Sequence, residues 1–160
     1  MSKLSQEFNE VLSELCWSLF TELGVRGVNR NHKDCLVQIE ELVMLTAMGA
    51  QYDPRLLSEA LDWLSRYHEW VSVNRLRALF QGLNEPSASD FSKFSAKVNS
   101  VSSAKWPFAD EFEPYKGALS QKSVIPSFGN PSLLSLRLRS LFGSGSRADI
   151  MSFFLTRART

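Results

Sequence analysis

Hydrophobic side chains recur at three- and four-residue steps through most of this chain, and the steps break at glycine and proline. The first run is the clearest: Leu4, Phe8, Val11, Leu12, Leu15, Cys16, Leu19, Phe20 and Leu23. Such a stripe, about 100° wide, predicts a helix over residues 4–23 that lies on a core rather than inside one. Ser2 or Ser5 can cap it, Glu7 and Glu10 suit its positive end, and Gly24 fits a left-handed stop. Residues 25–37 are polar and without a period, which reads as a loop long enough to be functional. A second helix, 38–48, carries Ile39, Leu42, Val43, Leu45 and Met48 around much of its circumference and belongs at the centre. Asp53-Pro54 opens a third over 54–68, because aspartate supplies a capping oxygen and proline fills the first helical position, where no N–H is needed. Leu57, Ala60, Leu61 and Leu64 form its apolar side, with Trp63 and Tyr67 close by. Ser72 caps a fourth, 73–81, whose face is Leu76, Leu79 and Phe80. A fifth, 86–101, has Phe91, Phe94, Val98 and Val101, with Ser87 or Ser89 as its cap.

The pattern then changes. Residues 104–130 hold Pro107, Pro114 and Pro126 with Gly117 and Gly129, and predict an irregular connector. Trp106, Phe108, Phe112, Tyr115 and Phe128 are too aromatic for a free linker, so the connector is expected to lie pinned along the helical body. Asn130-Pro131 repeats the Asp53-Pro54 signal and opens a sixth helix that Gly143 ends. Ser144 or Ser146 caps a seventh, 147–157. No strand pattern survives. The expected fold is all-α: a bundle of about five helices over 1–103, a proline-rich connector over 104–130, and a helical hairpin over 131–160.

Composition adds little to this and charge adds more. With 160 residues, 44% hydrophobic and 22% charged, the chain can bury one respectable core. No apolar run approaches the roughly 20 residues that span a bilayer. The N-terminus has no secretory signature, and two cysteines, Cys16 and Cys35, make no disulfide framework, so a reducing cytoplasm is the expected home. The formal charge of +1 hides an asymmetry: residues 130–160 carry Arg137, Arg139, Arg147, Arg157 and Arg159 against Asp149 alone, and the other residues sum to −3. A basic end of that kind is the electrostatic footprint of a nucleic-acid contact, and those five arginines are the candidate contact residues. An arginine-coated, merely solubilising helix face is the alternative.

The C-terminal residues also resemble a known arrangement. Arg137-Leu-Arg-Ser-Leu-Phe-Gly143, followed by Arg147-Ala-Asp-Ile150, is similar to the lead-in and first helix of the winged-helix unit in a family of bacterial regulator-like proteins. The segments LFTELGV, LTA, DPRLLSEALDWLSRY and VSVNRLRALF resemble the helical N-terminal region of the same family. The resemblance implies a transcriptional regulator that self-associates or binds a protein partner through its helical body and contacts DNA through its C-terminal region. It also implies that the chain stops before the recognition helix and wing. Ile150, Met151, Phe154 and Leu155, which a complete winged helix would cover, are then expected to pack on the bundle or to form a partner interface.

Candidate chemistry is sparse. The loop from Arg26 to Cys35 gathers Arg26, Arg30, His32, Lys33, Asp34 and Cys35. His32 has the side chain of a general base near neutral pH, and Arg26 or Arg30 can neutralise a phosphate. Arginine ahead of histidine resembles the Arg-x4–6-His motif of small helical ribonucleases paired with antitoxins, which makes a ribonuclease-like enzyme the alternative function and a plain helical scaffold the third. Cys16, Cys35, His32 and His68 suffice in number for zinc, but none stands at metal-ligand spacing, so no metal and no cofactor is expected. Trp17, Trp63, Trp70 and Trp106 sit beside leucines at helical spacing and are read as core.

Overall fold

A computed structural model describes residues 3–27, 32, 34–49, 51–109 and 114–157. Among these residues the fold is all-α. The helices are α1 Lys3–Glu22, α2 Ile39–Gly49, α3 Pro54–Tyr67, α4 Val73–Phe80, α5 Glu85–Val101, α6 Leu134–Phe142 and α7 Ser146–Arg157. Short 3-10 turns follow α3, at His68–Trp70, and precede α6, at Pro131–Leu133.

The sequence signals account for most boundaries. Asp53 caps α3 by accepting from the Leu56 N–H at 2.9 Å, and Ser72 caps α4 through the Arg75 N–H. The cap of α5 is Asn84, not Ser87 or Ser89; its carbonyl oxygen accepts from the Ser87 N–H, and Pro86 falls in the first turn. Asn130 does not cap α6. Its amide donates instead to the Glu22 carboxylate, so the chain enters α6 through a 3-10 turn.

α2 is the hub. It packs on α1, α3, α4 and α5, and buries Ile39, Leu42, Val43, Met44 and Ala47. Around it stand Phe20 and Leu23 of α1, Leu56, Leu61, Trp63 and Leu64 of α3, Leu76 of α4, and Phe91, Phe94 and Val98 of α5. The indole N–H of Trp63 donates to the Leu23 carbonyl at 2.8 Å, which satisfies a buried donor at the end of α1. Leu133 and Leu136 belong to this same core. The body is therefore built from α1 to α6, and the expected boundary at residue 130 does not separate two cores.

α1 departs from its expected role. Cys16, Phe20 and Leu23 are buried, but Leu4, Phe8, Val11 and Leu15 are 40–76% exposed. Every residue from Lys3 to Phe8 is exposed, so the first two turns stand clear of the bundle. The single apolar stripe read from the sequence is two faces, and the chain's own core covers one of them.

The connector is held closely although it has no helix among its described residues. Trp106 and Phe108 are buried, and Phe108 packs 5.3 Å from both Phe80 and Phe91. Phe128 meets Trp70 edge-on, and Trp70 stacks on Tyr67 at 4.8 Å. Phe112 lies outside the described residues. Asn99 both donates to and accepts from the Trp106 backbone. The buried Asp62 of α3 accepts from the N–H groups of Gln121 and Ser123 at 2.8 and 3.0 Å, fixing a turn in which Gln121 has φ +55°. Burial pushes the Asp62 carboxyl up, but hydrogen bonds from Ser123 and Gln121 and the charge of Arg66 outweigh it and hold the pKa below the ordinary range.

Candidate interaction surface

The basic end is divided by the helix it is built on. α6 turns Leu136 to the core beside Leu133 of the preceding 3-10 turn, and residue 139, one turn on from 136, falls on the same face. Arg139 is accordingly buried, not presented to a nucleic acid. Its guanidinium makes a two-pronged pair with Glu40 of α2 at 2.6 and 3.1 Å, donates to the Trp70 carbonyl at 3.0 Å, and reaches Asp149 of α7 at 3.2 Å. Glu40, itself buried, also accepts from the Ser72 N–H at the start of α4. Burial works against the Arg139 charge, but Glu40 and then Asp149 raise its pKa above the ordinary value, so it stays ionised. This pair joins α2, the turn before α4, α6 and α7. It removes Arg139 from the candidate nucleic-acid contacts. The sequence held part of the signal: an acid next to Ile39 on the most apolar helix, and a base in register with Leu133 and Leu136.

The other arginines are placed differently. Arg137 is half-buried and leans toward the Asn130 carbonyl at 3.4 Å. It borders an open cleft of about 790 Å³ with Asp34, Cys35, Pro131, Leu155 and Thr156. Arg147 and Arg157 are exposed at the two ends of α7, and the Arg157 guanidinium lies 4.4 Å from the centre of the Phe153 ring. Arg159 lies outside the described residues.

α7 runs close along α6 and is tied to it by the Asp149–Arg139 pair, but it buries little side-chain surface. Only Ala148 and Ser152 are buried, one turn apart, and the Ser152 hydroxyl meets that of Ser135 on α6 at 3.3 Å. Two small side chains allow the helices to approach closely but contribute little apolar area. Ile150, Met151, Phe153, Phe154 and Leu155 are 42–64% exposed. Four of these five are the residues expected from the sequence, and Phe153 adds a fifth. Leu141 and Phe142, at the end of α6, are exposed as well. The face therefore does not pack on the bundle.

Comparison with protein-family models, with curated proteins and with solved structures finds no match.

In the segment that carries the candidate chemistry, the described His32 is held by structural bonds. His32 Nε2 lies 2.9 Å from Ser18 Oγ, and the His32 N–H donates to Glu22. Ser18 is buried and its hydroxyl donates to the Leu15 carbonyl, so the Ser–His contact does not present a nucleophile to solvent. Glu22 also accepts from Asn130 and the Ser132 hydroxyl, both at 3.0 Å. Arg26 is exposed and borders a separate hollow of about 560 Å³ with Trp17, Asp53 and Arg55. There Asp53 is fully engaged by Ser13, Trp17 and its own helix cap. Arg30 and Lys33 lie outside the described residues. Cys16 is buried, with a thiol pKa that burial pushes up, and Cys35 is exposed; both are free. Among the described residues no group of three or more histidine, cysteine or acidic side chains is placed to hold a metal, and no helix is long and apolar enough to cross a membrane.

Proposed function

We propose that this chain is a non-enzymatic helical interaction module of a transcription-regulator-like protein, with α7 as its binding face. One observation carries the reading: a twelve-residue helix that buries only Ala148 and Ser152 while exposing five large apolar side chains. A helix apolar on most of its circumference is stable in water only when something covers it. The arginines that border this face, Arg137, Arg147 and Arg157 with Arg159 beyond, support a DNA contact in the intact protein, and the likeness to regulator lead-in helices supports the same class. Arg139 has no part in that contact.

The test is the double substitution Ile150→Glu with Phe154→Glu. Helicity and thermal midpoint of the dilute chain should stay near the parent's, because substitutions at exposed sites away from buried features cost within about 0.5 kcal/mol. Whatever association, or uptake of the dye anilinonaphthalene sulfonate, the parent chain displays should be lost. A double variant that unfolds, or a parent chain that neither associates nor takes up dye, refutes the reading.

A further inference from the structure

Among the described residues two apolar helix faces lack a cover, and they carry opposite charge. On α1 the exposed residues Leu4, Phe8, Val11 and Leu15 are spaced four, three and four apart, the seam of a helix that pairs with another helix. The acids Glu7, Glu10 and Glu14 flank that seam, with Lys3 the one base on the same stretch. On α7 the exposed apolar face is flanked by Arg147 and Arg157, with Arg137 nearby on α6.

Resting on the reading of α7 as a binding face, we propose that the occupant of that face is α1 of a second copy of this chain, and that the contact is reciprocated to give a closed dimer. Three features choose this occupant. The first two turns of α1 are exposed on every side, and so short a helical end frays unless tertiary contact holds it. Pairing α7 with its own copy would bring arginine-flanked faces together, whereas α1 supplies the acids that neutralise them. Area then asks for two contacts. At the roughly 30–40 Å² per contacting residue of standard interfaces, about ten residues a side bury on the order of 600–800 Å² in one α1–α7 contact. That falls short of the roughly 1,000 Å² expected of a specific interface, and a two-fold pair of contacts exceeds it.

Sedimentation of the full chain across a concentration series tests the assembly, and cross-linking tests its geometry. The expected particle contains two chains. Val11→Glu on α1 and Phe154→Glu on α7 should each weaken the dimer by at least about 30-fold, since each removes a central apolar anchor twice. Glu7→Arg with Glu10→Arg, and Arg147→Glu with Arg157→Glu, should each weaken it several-fold, and an equimolar mixture of the two charge-reversed chains should pair more tightly than either alone. In a Cys35→Ser background, a Val11→Cys chain mixed with a Met151→Cys chain should form the 11–151 disulfide in preference to 11–11 or 151–151. Preferential 151–151 linkage would overturn the proposal in favour of α7 pairing with itself. A parent chain that stays single at ~100 μM and takes up dye through α7 would also overturn it, while leaving α7 a binding face for another protein. If that single chain takes up no dye either, the binding-face reading falls with it.

Discussion

α6 and α7 are neighbours of similar length and similar composition, and the molecule treats them in opposite ways. α6, with Leu133 of the turn before it, puts Leu136 into the common core and sinks Arg139 against Glu40. α7 rests on Ala148 and Ser152 and leaves its large apolar residues outside. Both have aliphatic, aromatic and arginine side chains; what separates them is whether the opposite charge waits in the core. Glu40 gives α6 a fixed seat, because its buried carboxylate is met closely and from both oxygens by Arg139 and only at 3.7 Å by Arg75. Nothing of that kind seats the apolar side of α7. Charge buried in an apolar setting thus fixes which helix belongs to the body, while hydrophobicity alone fixes only that a helix needs a neighbour.

The contrast is sharpest when the ion pair is broken from one side. Arg139→Ala should cost about 3–5 kcal/mol, because the buried Glu40 charge keeps only the Ser72 N–H and a longer contact to Arg75 at 3.7 Å. For a chain of this length that lowers the thermal midpoint by about 10–15 °C. Removing both charges with shape kept, as in Glu40→Met with Arg139→Met, should restore most of the loss. Equilibrium denaturation of the two variants and the parent measures both. Next in size comes the pair Leu136→Ala and Phe154→Ala. The first should cost about 2–5 kcal/mol as a core cavity, and the second within about 0.5 kcal/mol in the dilute chain. Equal costs would erase the distinction between the two helices.

The connector offers a smaller effect with a pH signature. Asp62 has a folded-state pKa below its unfolded value, so its contribution to stability is fully present above the ordinary carboxylate range near 4 and is lost as pH falls through the depressed value. Asp62→Asn should cost about 1–3 kcal/mol at neutral pH and flatten the fall of the thermal midpoint on acidification. The smallest effect concerns the arginines. If Arg137, Arg147 and Arg157 meet duplex phosphates, the log–log salt slope of binding should be about −2.7, and Arg147→Glu with Arg157→Glu should remove about two-thirds of it. Arg139→Lys, if it folds, should leave that slope unchanged.

Much of the fold was legible. Asp53-Pro54, Ser72, Gly24 and Gly143 mark helix ends in the sequence and in the structure alike, because capping is a local matter of a few backbone groups. The centrality of α2 was legible from an apolar surface too wide for one neighbour. The exposed half of α1 was not, since periodicity reports that a face is apolar and is silent on which molecule covers it. Arg139 was misread because summed charge treats every arginine as solvated, whereas its register with Leu133 and Leu136 placed it inside. His32 looked chemical in one dimension, but its partner Ser18 is buried and sits fourteen residues away on another element.

Glu22 closes its hydrogen bonds with Asn130 and Ser132, more than a hundred positions downstream, and Glu40 waits almost as long for Arg139. At about 5–20 residues per second, a ribosome needs on the order of 5–20 s to bridge that interval. Through that time Glu22 has the His32 N–H, and Glu40 has the Ser72 N–H and Arg75, while their remaining partners are not yet made. Asn130, Ser132 and Arg139 can thus complete the packing of α1 and α2 only after the hundred residues between them exist.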